Sequence, residues 1–569
     1  MEKARASVSL ALAGSGGAGV MTAGNLLLEA AAHAGYYALM TRTSGPQIRG
    51  GEAAAMLRVS NFPGDGQDDR FQILAAIDWQ NVARFAAEIP LDGSSLILGD
   101  PSQGAPPEVF TRSGARCAAV PFKDLAKQHK DAWPNMIALG VLGALIGLPA
   151  ESLERAVTKS MKKGVEAGIA AVRIGIAQAA ALGAFPLAKP LSSTPRWLIT
   201  GNEAAGFGAL RGGVRFVAAY PITPATELLE WLAPALVKVG GTMVQAEDEL
   251  ASINMILGAS YGGVPALTAT SGPGLALMIE ALGLGVTAEI PAIVVDVMRT
   301  GPSTGIATKS EQSDLNLALY GLHGDAPHIV VAPNSLIDCA ATTEWAVGLA
   351  ESLQVPAIVL SDQYFGQARG VVDVPQRNGS ARTRSVADGT GEPYQRYAIN
   401  ASGISPMALP GAPGMAYTAD GLEHNERGTP SSQAADHSAQ MDKRARKVAQ
   451  LDPGEHWASV EGDGELAVVT FGSCTGPARE ALARARADGV NARLISLRML
   501  SPAQPERLTR ALDGVSRVLV VEQNHSGQFL RYLRAEGALS GEVKSLRRPG
   551  PLPFRPGEIH RELMQWSRA

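Results

Sequence analysis

The chain is poor in cysteine, in aromatic side chains and in excess charge of either sign. Its 569 residues include three cysteines (Cys117, Cys339 and Cys474) and 5% aromatic residues. The cysteines are too far apart to form a local metal-ligand motif, so this chain alone cannot hold a cubane iron–sulfur cluster. We expect all three to be buried in a reducing compartment, because a free cysteine packs like a small apolar side chain.

The near balance of charge and the lack of a long apolar run exclude further classes. Fifty basic against 54 acidic residues give a formal net charge of −4, which offers no basis for binding nucleic acid or an anionic membrane. The most apolar helix candidate, 136–148, is shorter than the roughly 20 residues that span a bilayer. The apolar stretch after Lys3 and Arg5 breaks at Gly14, unlike a signal peptide. We therefore expect a cytoplasmic protein.

The length predicts several domains, because single cores stop growing beyond roughly 250 to 300 residues. Hydrophobic residues make up 46% of the chain, and strand-like apolar runs alternate with helical patterns. This alternation predicts an α/β protein with several parallel or mixed sheets. The predicted segments are a first domain at 1–188, a linker at 189–196, a second domain at 197–370, an extended connector at 371–455 and a last domain at 456–569.

The connector ends in a basic run, Lys443-Arg444-Ala445-Arg446-Lys447. We expect a solvated helix face without chemistry, because charge runs usually lie on the surface. Connectors of this length are usually functional or wrap a neighbour.

A glycine-rich loop, Gly14 to Gly19, matches G-x-G-x-x-G between a predicted strand at 7–13 and a predicted helix at 18–34. A dinucleotide site also requires an acidic residue about 20 positions later, and none lies between Ala30 and Gly51. Arg42 leaves an NADP site open as an alternative. The other interpretation is a tight turn that allows close helix packing.

Five motifs carry the functional signal in combination. They are Tyr-Pro-Ile-Thr-Pro at 220–224, Gln-Ala-Glu-Asp-Glu at 245–249, Thr-Ser-Gly-Pro-Gly at 270–274, Arg-Thr-Gly-Pro-Ser-Thr-Gly at 299–305 and Gly-Leu-Glu-His at 421–424. Pro221 and Pro224 end a strand and leave Thr223 at its carboxyl end, where open α/β sheets bind ligands. From about residue 8 to 560 the chain resembles the 2-oxoacid:ferredoxin oxidoreductase family. The resemblance is greatest to large subunits that fuse a γ-type segment ahead of an α-type segment, as in the 2-oxoglutarate branch.

The resemblance assigns a fold to each domain. It implies a γ-type domain at 1–188, a fold that binds the pyrimidine of thiamine diphosphate at 197–370, and a transketolase C-terminal-like domain at 456–569. The residues implied on the pyrimidine side are Tyr220, Pro221, Ile222, Thr270, Ser271, Gly272 and Gly274. The glycines would let a cofactor ring approach the backbone, although a plain turn has the same sequence.

The catalytic residue implied by the resemblance is Glu249. Thiamine catalysis requires a buried carboxyl group beside the pyrimidine, and burial raises the pKa of such a group. Glu247 is the alternative in register. An acid that complements a helix dipole is the ordinary interpretation of either residue.

The resemblance assigns the 2-oxoacid carboxylate to the Thr223 hydroxyl and to a bidentate contact from Arg299. Arg299 follows a strand, so its side chain should project at the same edge as Thr223. A structural ion pair and a turn hydroxyl are the ordinary alternatives. Arg49, in a loop implied to lie near the coenzyme A entrance, and Lys309 are candidates for a second carboxylate, and Gln312 is a weaker one.

No metal ligand is assigned to this chain. Gly462-Asp463-Gly464 copies a magnesium diphosphate motif, but it precedes a strand rather than following one. The resemblance implies that a β subunit supplies the magnesium diphosphate site and a [4Fe-4S] cluster. His424 resembles a family position, but we expect a solvated loop histidine.

The implied function is that of the α subunit of a thiamine-diphosphate-dependent enzyme. It would decarboxylate 2-oxoglutarate to succinyl-CoA with coenzyme A and ferredoxin, or catalyse the reverse carboxylation that fixes carbon dioxide in a reductive cycle. An (αβ)2 assembly is expected. The alternatives are pyruvate or branched-chain 2-oxoacids as substrates and, in another class, a non-redox subunit that binds coenzyme A or a nucleotide.

Overall fold

The computed structural model describes residues 4–45, 51–191, 194–375, 383–389, 393–537, 539 and 541–568. The chain forms two compact units. One comprises Met1–Thr200, Gln367–Val374 and Arg555–Gly557, and the other comprises Gly201–Gly366, Pro375–Phe554 and Glu558–Ala569.

The helices and strands follow one another in chain order. Up to residue 200 they are β1 (Ser7–Gly14), α1 (Val20–His33), β2 (Tyr37–Ser44), β3 (Ala53–Ser60), β4 (Ile73–Ala76), β5 (Leu96–Gly99), α2 (Glu108–Thr111), β6 (Arg116–Ala119), α3 (Phe122–Ala126), α4 (Pro134–Leu145), α5 (Ala150–Ser160), α6 (Val165–Ala179) and β7 (Arg196–Thr200). Up to residue 373 they are α7 (Gly201–Gly212), β8 (Phe216–Ala219), α8 (Thr226–Lys238), β9 (Thr242–Gln245), α9 (Glu249–Tyr261), β10 (Ala266–Thr270), α10 (Gly272–Thr287), β11 (Ala292–Met298), α11 (Leu315–Tyr320), β12 (Ile329–Val331), α12 (Asp338–Leu353), β13 (Pro356–Asp362), α13 (Gln363–Gln367) and β14 (Arg369–Asp373). The last are α14 (Ala434–Ala449), β15 (Ala458–Glu461), β16 (Leu466–Phe471), α15 (Thr475–Ala487), β17 (Ala492–Leu497), β18 (Met499–Ser501), α16 (Pro505–Ala511), β19 (Arg517–Glu522), α17 (Gln528–Ala535), β20 (Glu542–Arg547) and α18 (Pro556–Ser567).

The first unit contains a mixed sheet in the order β6-β5-β4-β1-β3-β2-β14-β7. The strands from β6 to β1 are parallel, and the remaining neighbours pair antiparallel. The sequence segment predicted as one domain, 197–370, therefore includes residues of both compact units. Pairing of β7 with β14 joins residues far apart in sequence, so local patterns do not reveal it.

Helix α4 packs closely in this unit because it carries glycines at its contacts. A Cβ atom on Gly140 would lie 2.1 Å from the carbonyl oxygen of Val172 on α6, and one on Gly143 would lie 2.6 Å from the side chain of Leu153 on α5. The apolar run at 136–148 is thus a buried packing helix. No helix in the described residues is both long enough and apolar enough to cross a membrane.

The second unit contains two sheets, which are parallel except for one edge strand in each. Their orders are β18-β12-β13-β11-β10-β8-β9 and β15-β17-β16-β19-β20. Strands β10, β11 and β13 are buried along their whole length, as expected for a sheet covered on both faces. Because β8, β10 and β11 are parallel neighbours, the loops that follow them meet at one edge of the sheet.

The expectation of a solvated basic run is wrong. The run lies in α14, where the side chains of Lys443 and Lys447 are completely buried. Their Nζ atoms donate to the two carboxylate oxygens of Glu289 at 2.6 and 3.0 Å. Glu289 lies far away in sequence, so the charge pattern of the run alone could not show that its charges are compensated in the interior.

The cysteines are not all buried as expected. Cys339 and Cys474 are buried, but Cys117 is exposed. Cys117 lies on β6, the edge strand of the first sheet, where most side chains are exposed.

Candidate active site

The loop after β8 carries Thr223 to the carboxyl edge of the seven-stranded sheet. Tyr220 is exposed, and Pro221, Ile222 and Thr223 are half-buried. A hydrogen bond fixes the end of this loop, because the Asn202 side-chain amide donates to the Pro224 carbonyl at 2.8 Å. The structure thus places this motif at a partly open edge, where a ligand can reach it.

Arg299 follows β11 and turns toward the same loop. Its side chain is 94% buried, and its Nη1 atom donates to the backbone carbonyl of Thr223 at 2.6 Å. Its Nε atom has no hydrogen-bond partner among the described residues. Burial lowers the pKa of the guanidinium, while the charges of Asp314 and Glu249 oppose this shift. Arg299 and Thr223 are therefore neighbours, as predicted, although the contact uses the threonine carbonyl. The roles of both residues toward a substrate stay predictions.

Glu249 begins α9 and points into the protein. The preceding Asp248 caps the helix by accepting from the Ala251 amide at 2.7 Å. Glu249 is buried, whereas Glu247 is exposed. Of the two glutamates considered from the sequence, only Glu249 can offer a buried carboxyl group. Its contact with a pyrimidine stays a prediction.

The Thr-Ser-Gly-Pro-Gly motif forms the junction of β10 and α10. Thr270 and Ser271 are completely buried, and the Ser271 hydroxyl has no hydrogen-bond partner among the described residues. A Cβ atom on Gly272 would lie 2.5 Å from Asp314 Oδ1, and one on Gly274 would lie 2.7 Å from Glu249 Oε1. The glycines are therefore already needed to fit two acidic side chains of this chain at the start of α10.

Sequence reasoning missed two buried acids, Asp296 and Asp314. Asp296 lies inside β11, paired in register with Thr270 of β10, and neither of its carboxyl oxygens has a hydrogen-bond partner among the described residues. Burial, reinforced by the charge of Asp314, raises its pKa well above the usual range. The available signal was one aspartate within the otherwise apolar stretch Ala-Ile-Val-Val-Asp-Val-Met.

Asp314 immediately precedes α11 and is half-buried against the first turn of α10, and its Oδ2 atom is buried without a hydrogen-bond partner among the described residues. Burial, and then the charge of Glu311, raises the pKa of Asp314 to about 7, while Arg299 opposes the shift. Asp314 gave no distinct signal in the sequence, because an aspartate before a short helix is an ordinary capping residue.

The three residues considered for the far end of a substrate differ in where the structure places them. Arg49 lies outside the described residues. Lys309 is half-buried in the loop after Arg299, and its carbonyl accepts from the Thr300 amide at 2.9 Å. Gln312 is completely buried, and its side chain donates to the Phe471 carbonyl at 2.9 Å and accepts from the Gln523 amide at 2.9 Å. The Gln312 side chain thus connects its loop to Phe471 at the end of β16 and to Gln523 just after β19.

His424 is buried, contrary to the expectation of a solvated side chain. Its ring stacks on Tyr397 with a centroid separation of 3.6 Å, and Nε2 lies 3.2 Å from the Thr287 carbonyl. Asp463 of the Gly-Asp-Gly copy is exposed and lies 3.7 Å from Arg486. Within the described parts of the chain, no group of three or more His, Cys, Asp or Glu side chains could hold a metal ion.

Side chains from other parts of the first unit contact its glycine-rich loop. The Ser15 amide and hydroxyl donate to the Asp78 carboxylate, the hydroxyl at 2.7 Å. A Cβ atom on Gly19 would lie 2.4 Å from the Asn135 side chain. These contacts favour the tight-turn interpretation over a phosphate site, because a carboxylate already accepts from the loop amide.

The residues at the sheet edge fit a ligand that combines a basic ring nitrogen with a carboxylate. Glu249 is a buried carboxyl that can share a proton with a ring nitrogen, and Arg299 has one donor without a partner among the described residues. The Ser271 hydroxyl is a further buried group without a partner among these residues. Unpartnered polar groups at a pocket edge indicate places for ligand atoms.

Family models match most of the chain. Residues 9–178 match a pyruvate ferredoxin/flavodoxin oxidoreductase domain, and residues 207–443 match the thiamine-diphosphate-binding domain of pyruvate flavodoxin/ferredoxin oxidoreductases. Residues 464–548 match core domain II of pyruvate:ferredoxin oxidoreductase.

Whole-chain comparisons agree. The 2-oxoacid:ferredoxin oxidoreductase 2 subunit alpha of Aeropyrum pernix is 31% identical, with 95% of each chain covered. The 2-oxoglutarate oxidoreductase subunit KorA of Mycobacterium tuberculosis is 34% identical over 78% of this chain and 70% of its own. The solved 2-oxoglutarate:ferredoxin oxidoreductase of Magnetococcus marinus, with 2-oxoglutarate, coenzyme A and succinyl-CoA bound, is 35% identical, covers 99% of both chains and has a TM-score of 0.91.

These matches confirm the predicted α/β fold with a thiamine-diphosphate-binding domain. The converging loops of the seven-stranded sheet lie within the matched thiamine-diphosphate-binding domain. The chain belongs to the 2-oxoacid:ferredoxin oxidoreductase family.

Proposed function

We propose that this chain is the α subunit of a thiamine-diphosphate-dependent 2-oxoglutarate:ferredoxin oxidoreductase. The reaction converts 2-oxoglutarate and coenzyme A to succinyl-CoA and carbon dioxide, and passes two electrons, one at a time, to ferredoxin. The observation that carries the proposal is the convergence of Thr223, Glu249 and Arg299 at the carboxyl edge of one sheet. The reverse carboxylation uses the same residues.

Thiamine diphosphate, when bound, supplies the carbon nucleophile that attacks the keto carbon of the substrate. Glu249 holds a proton at the pyrimidine nitrogen, a task for which a buried carboxyl is suited. Ser271 and the backbone at Gly272 and Gly274 lie on the pyrimidine side. Arg299 and Thr223 bind the carboxylate that leaves as carbon dioxide, which orients the keto carbon.

The substrate is proposed to be 2-oxoglutarate. Support comes from the Magnetococcus marinus enzyme, whose structure contains 2-oxoglutarate and matches this chain from end to end. The second carboxylate requires a further cation, and Lys309 and Arg49 are the candidates. In Lys309→Met or Arg49→Met, we expect the preference for 2-oxoglutarate over pyruvate to fall, measured as the ratio of kcat/KM values. Equal ratios in both variants and the wild type would exclude these two residues.

A β subunit is proposed to complete the site with the magnesium diphosphate anchor and a [4Fe-4S] cluster, in an (αβ)2 assembly. Four apolar side chains in or next to the site motifs have large exposed fractions: Tyr220 (41%), Leu250 (51%), Leu277 (51%) and Ile306 (45%). Exposed apolar patches with a polar surround are typical of protein interfaces. The two leucines lie in the first two turns of α9 and α10, next to the site.

The test is co-expression of this chain with a candidate β subunit, followed by purification. We expect a complex that contains thiamine diphosphate and iron, and that reduces ferredoxin only when a 2-oxoacid and coenzyme A are both present. A panel of 2-oxoglutarate, pyruvate and branched-chain 2-oxoacids decides the substrate. Tight binding of thiamine diphosphate and turnover by this chain alone would contradict the proposal.

A matched pair of variants tests the interface. Leu277→Glu should prevent assembly, because it places a charge among the exposed apolar residues beside the site. Val237→Glu is the control, because Val237 is also exposed but lies in the last turn of α8, at the opposite edge of the sheet. Equal loss of assembly in both variants would count against this surface.

A further inference from the structure

More than one acidic side chain acts on Arg299, whose printed hydrogen bond goes to the neutral backbone carbonyl of Thr223. Asp314 and Glu249 both act electrostatically on Arg299, and Asp296 adjoins Asp314 from inside β11. One guanidinium thus faces two acidic side chains, and a third acidic side chain acts on one of these two. If all three were ionised, the interior would hold an excess of negative charge beside a site that is proposed to receive an anion.

The geometry shows which carboxyls are not stabilised as anions. Both oxygens of Asp296 and one oxygen of Asp314 are buried and lack any hydrogen-bond partner among the described residues. A buried carboxylate normally accepts several hydrogen bonds, whereas a protonated carboxyl needs fewer. The start of α10 comes close to Asp314 at Gly272, and the helix dipole acts there in favour of the ionised form of Asp314.

We propose that the Asp296 and Asp314 carboxyls hold a proton behind Arg299, and that this proton leaves Arg299 with its positive charge for the carboxylate of the 2-oxoacid. Asp314 is then a positioning residue that acts through Arg299. This inference rests on the proposed function. When Asp314 loses its proton, its charge compensates Arg299 internally, and the substrate carboxylate binds less tightly.

The charged and titratable groups that surround Asp314 come from several segments. They are Asp296 inside β11, Arg299 just after β11, Glu311 in the loop before α11, Glu249 at the start of α9, and His525, which acts on Glu311. The charge of Glu311 favours the protonated form of Asp314, and Arg299 favours the ionised form. Burial, and then the charge of Glu311, raises the pKa of Asp314 to about 7 against the effect of Arg299.

The main experiment measures the KM for 2-oxoglutarate in the assembled complex between about pH 6 and pH 9, with coenzyme A and ferredoxin saturating. In the wild type we expect the KM to rise above neutral pH by a factor on the order of ten, while kcat changes less. In Asp314→Asn the KM should stay at its low-pH value across the range. An alkaline rise in KM that persists in Asp314→Asn would overturn the proposal.

Two further variants sharpen this experiment. Glu311→Gln removes the charge that favours protonated Asp314, so the midpoint of the rise should move to lower pH. Asp325→Asn is the control, because Asp325 is an exposed aspartate in the loop after α11 and should leave the wild-type profile in place. An unshifted midpoint in Glu311→Gln counts against the proposal and remains informative if Asp314→Asn does not assemble.

A measurement without turnover separates this inference from the proposed function. A carboxyl whose pKa is raised in the folded state stabilises the fold at low pH, and this contribution is lost as pH rises from the unfolded pKa to the folded pKa. The melting temperature of the wild-type complex should therefore fall relative to that of Asp314→Asn between about pH 4 and pH 7. A pH-independent difference would refute the buried proton. A wild-type complex that shows this signature but turns over no 2-oxoacid would refute the proposed function alone.

Discussion

Two regions of buried charge lie at the two ends of α10 and differ in how they are compensated. Beyond its carboxyl end, Glu289 accepts hydrogen bonds from Lys443 and Lys447 on its two oxygens. At its amino end, Asp296 and Asp314 carry oxygens without partners in the described residues. Glu289 and Asp296 are both completely buried, so burial alone does not distinguish a structural charge from a functional one.

The pKa shifts reflect this difference. The two lysines and Arg396 hold the pKa of Glu289 at about 2 despite complete burial. At the other end of the helix, burial and neighbouring acids raise the pKa values of Asp296 and Asp314. Complete pairing indicates a structural cluster, whereas carboxyl groups with raised pKa values and unpartnered oxygens near a candidate site indicate a functional one.

The largest expected effect concerns the site. Glu249→Gln in the assembled complex should lower kcat by about 10²- to 10⁴-fold, because it removes a proton-sharing carboxyl. Ferredoxin reduction with 2-oxoglutarate and coenzyme A is the assay. Glu247→Gln, an exposed neighbour, should stay within about twofold of the wild type. The opposite result would reassign the catalytic acid to Glu247.

The buried cluster of Glu289, Lys443 and Lys447 should affect the stability of the fold rather than catalysis. Glu289→Gln leaves two buried lysines without a carboxylate and should lower the free energy of unfolding by about 3–5 kcal/mol, visible as a lower melting temperature. The control is Glu461→Gln, which breaks the more exposed pair with Arg479 at 2.8 Å and should cost about 0–1 kcal/mol. If both variants lose the same free energy of unfolding, the buried cluster stabilises the fold no more than an exposed ion pair does.

Arg299→Lys tests the carboxylate contact. Lysine keeps the charge but loses the fork of donors, so we expect a cost of about 1.5–3 kcal/mol, or roughly a 10- to 150-fold rise in the KM for 2-oxoglutarate. The KM for coenzyme A serves as the internal control and should change little. A rise in both constants alike would indicate a general disruption of the site.

The smallest expected effect is the change with pH in how much Glu289 stabilises the fold. The pKa of Glu289 is lowered from 4.5 to about 2 on folding, so its contribution is fully present above 4.5 and is lost as pH falls toward 2. The stability difference between the wild type and Glu289→Gln should therefore narrow over this range, as measured by melting temperature. A difference that stays constant with pH would mean that Glu289 is not ionised in the fold.

The site was predictable where a motif is local. The spacing from Tyr220 to Arg299 places its residues after successive parallel strands, and the structure brings Thr223 and Arg299 together as that spacing predicts. The sequence did not predict Asp314 as a site residue, because an aspartate before a helix is common. The basic run was misread for a similar reason, since the partner of Lys443 and Lys447 lies in another segment.

The sequence by itself determined the α/β class, the order of strands and helices around each motif, and the family. These properties depend on local periodicity and on short motifs, which can be identified in a sequence without knowing the tertiary contacts. Only the tertiary structure decided that Lys443 and Lys447 are buried, that Glu249 rather than Glu247 faces inward, and that Asp314 acts on Arg299. The physical reason is that the charge state of a buried group depends on which groups the fold places within a few ångströms, and those groups come from segments far apart in the chain.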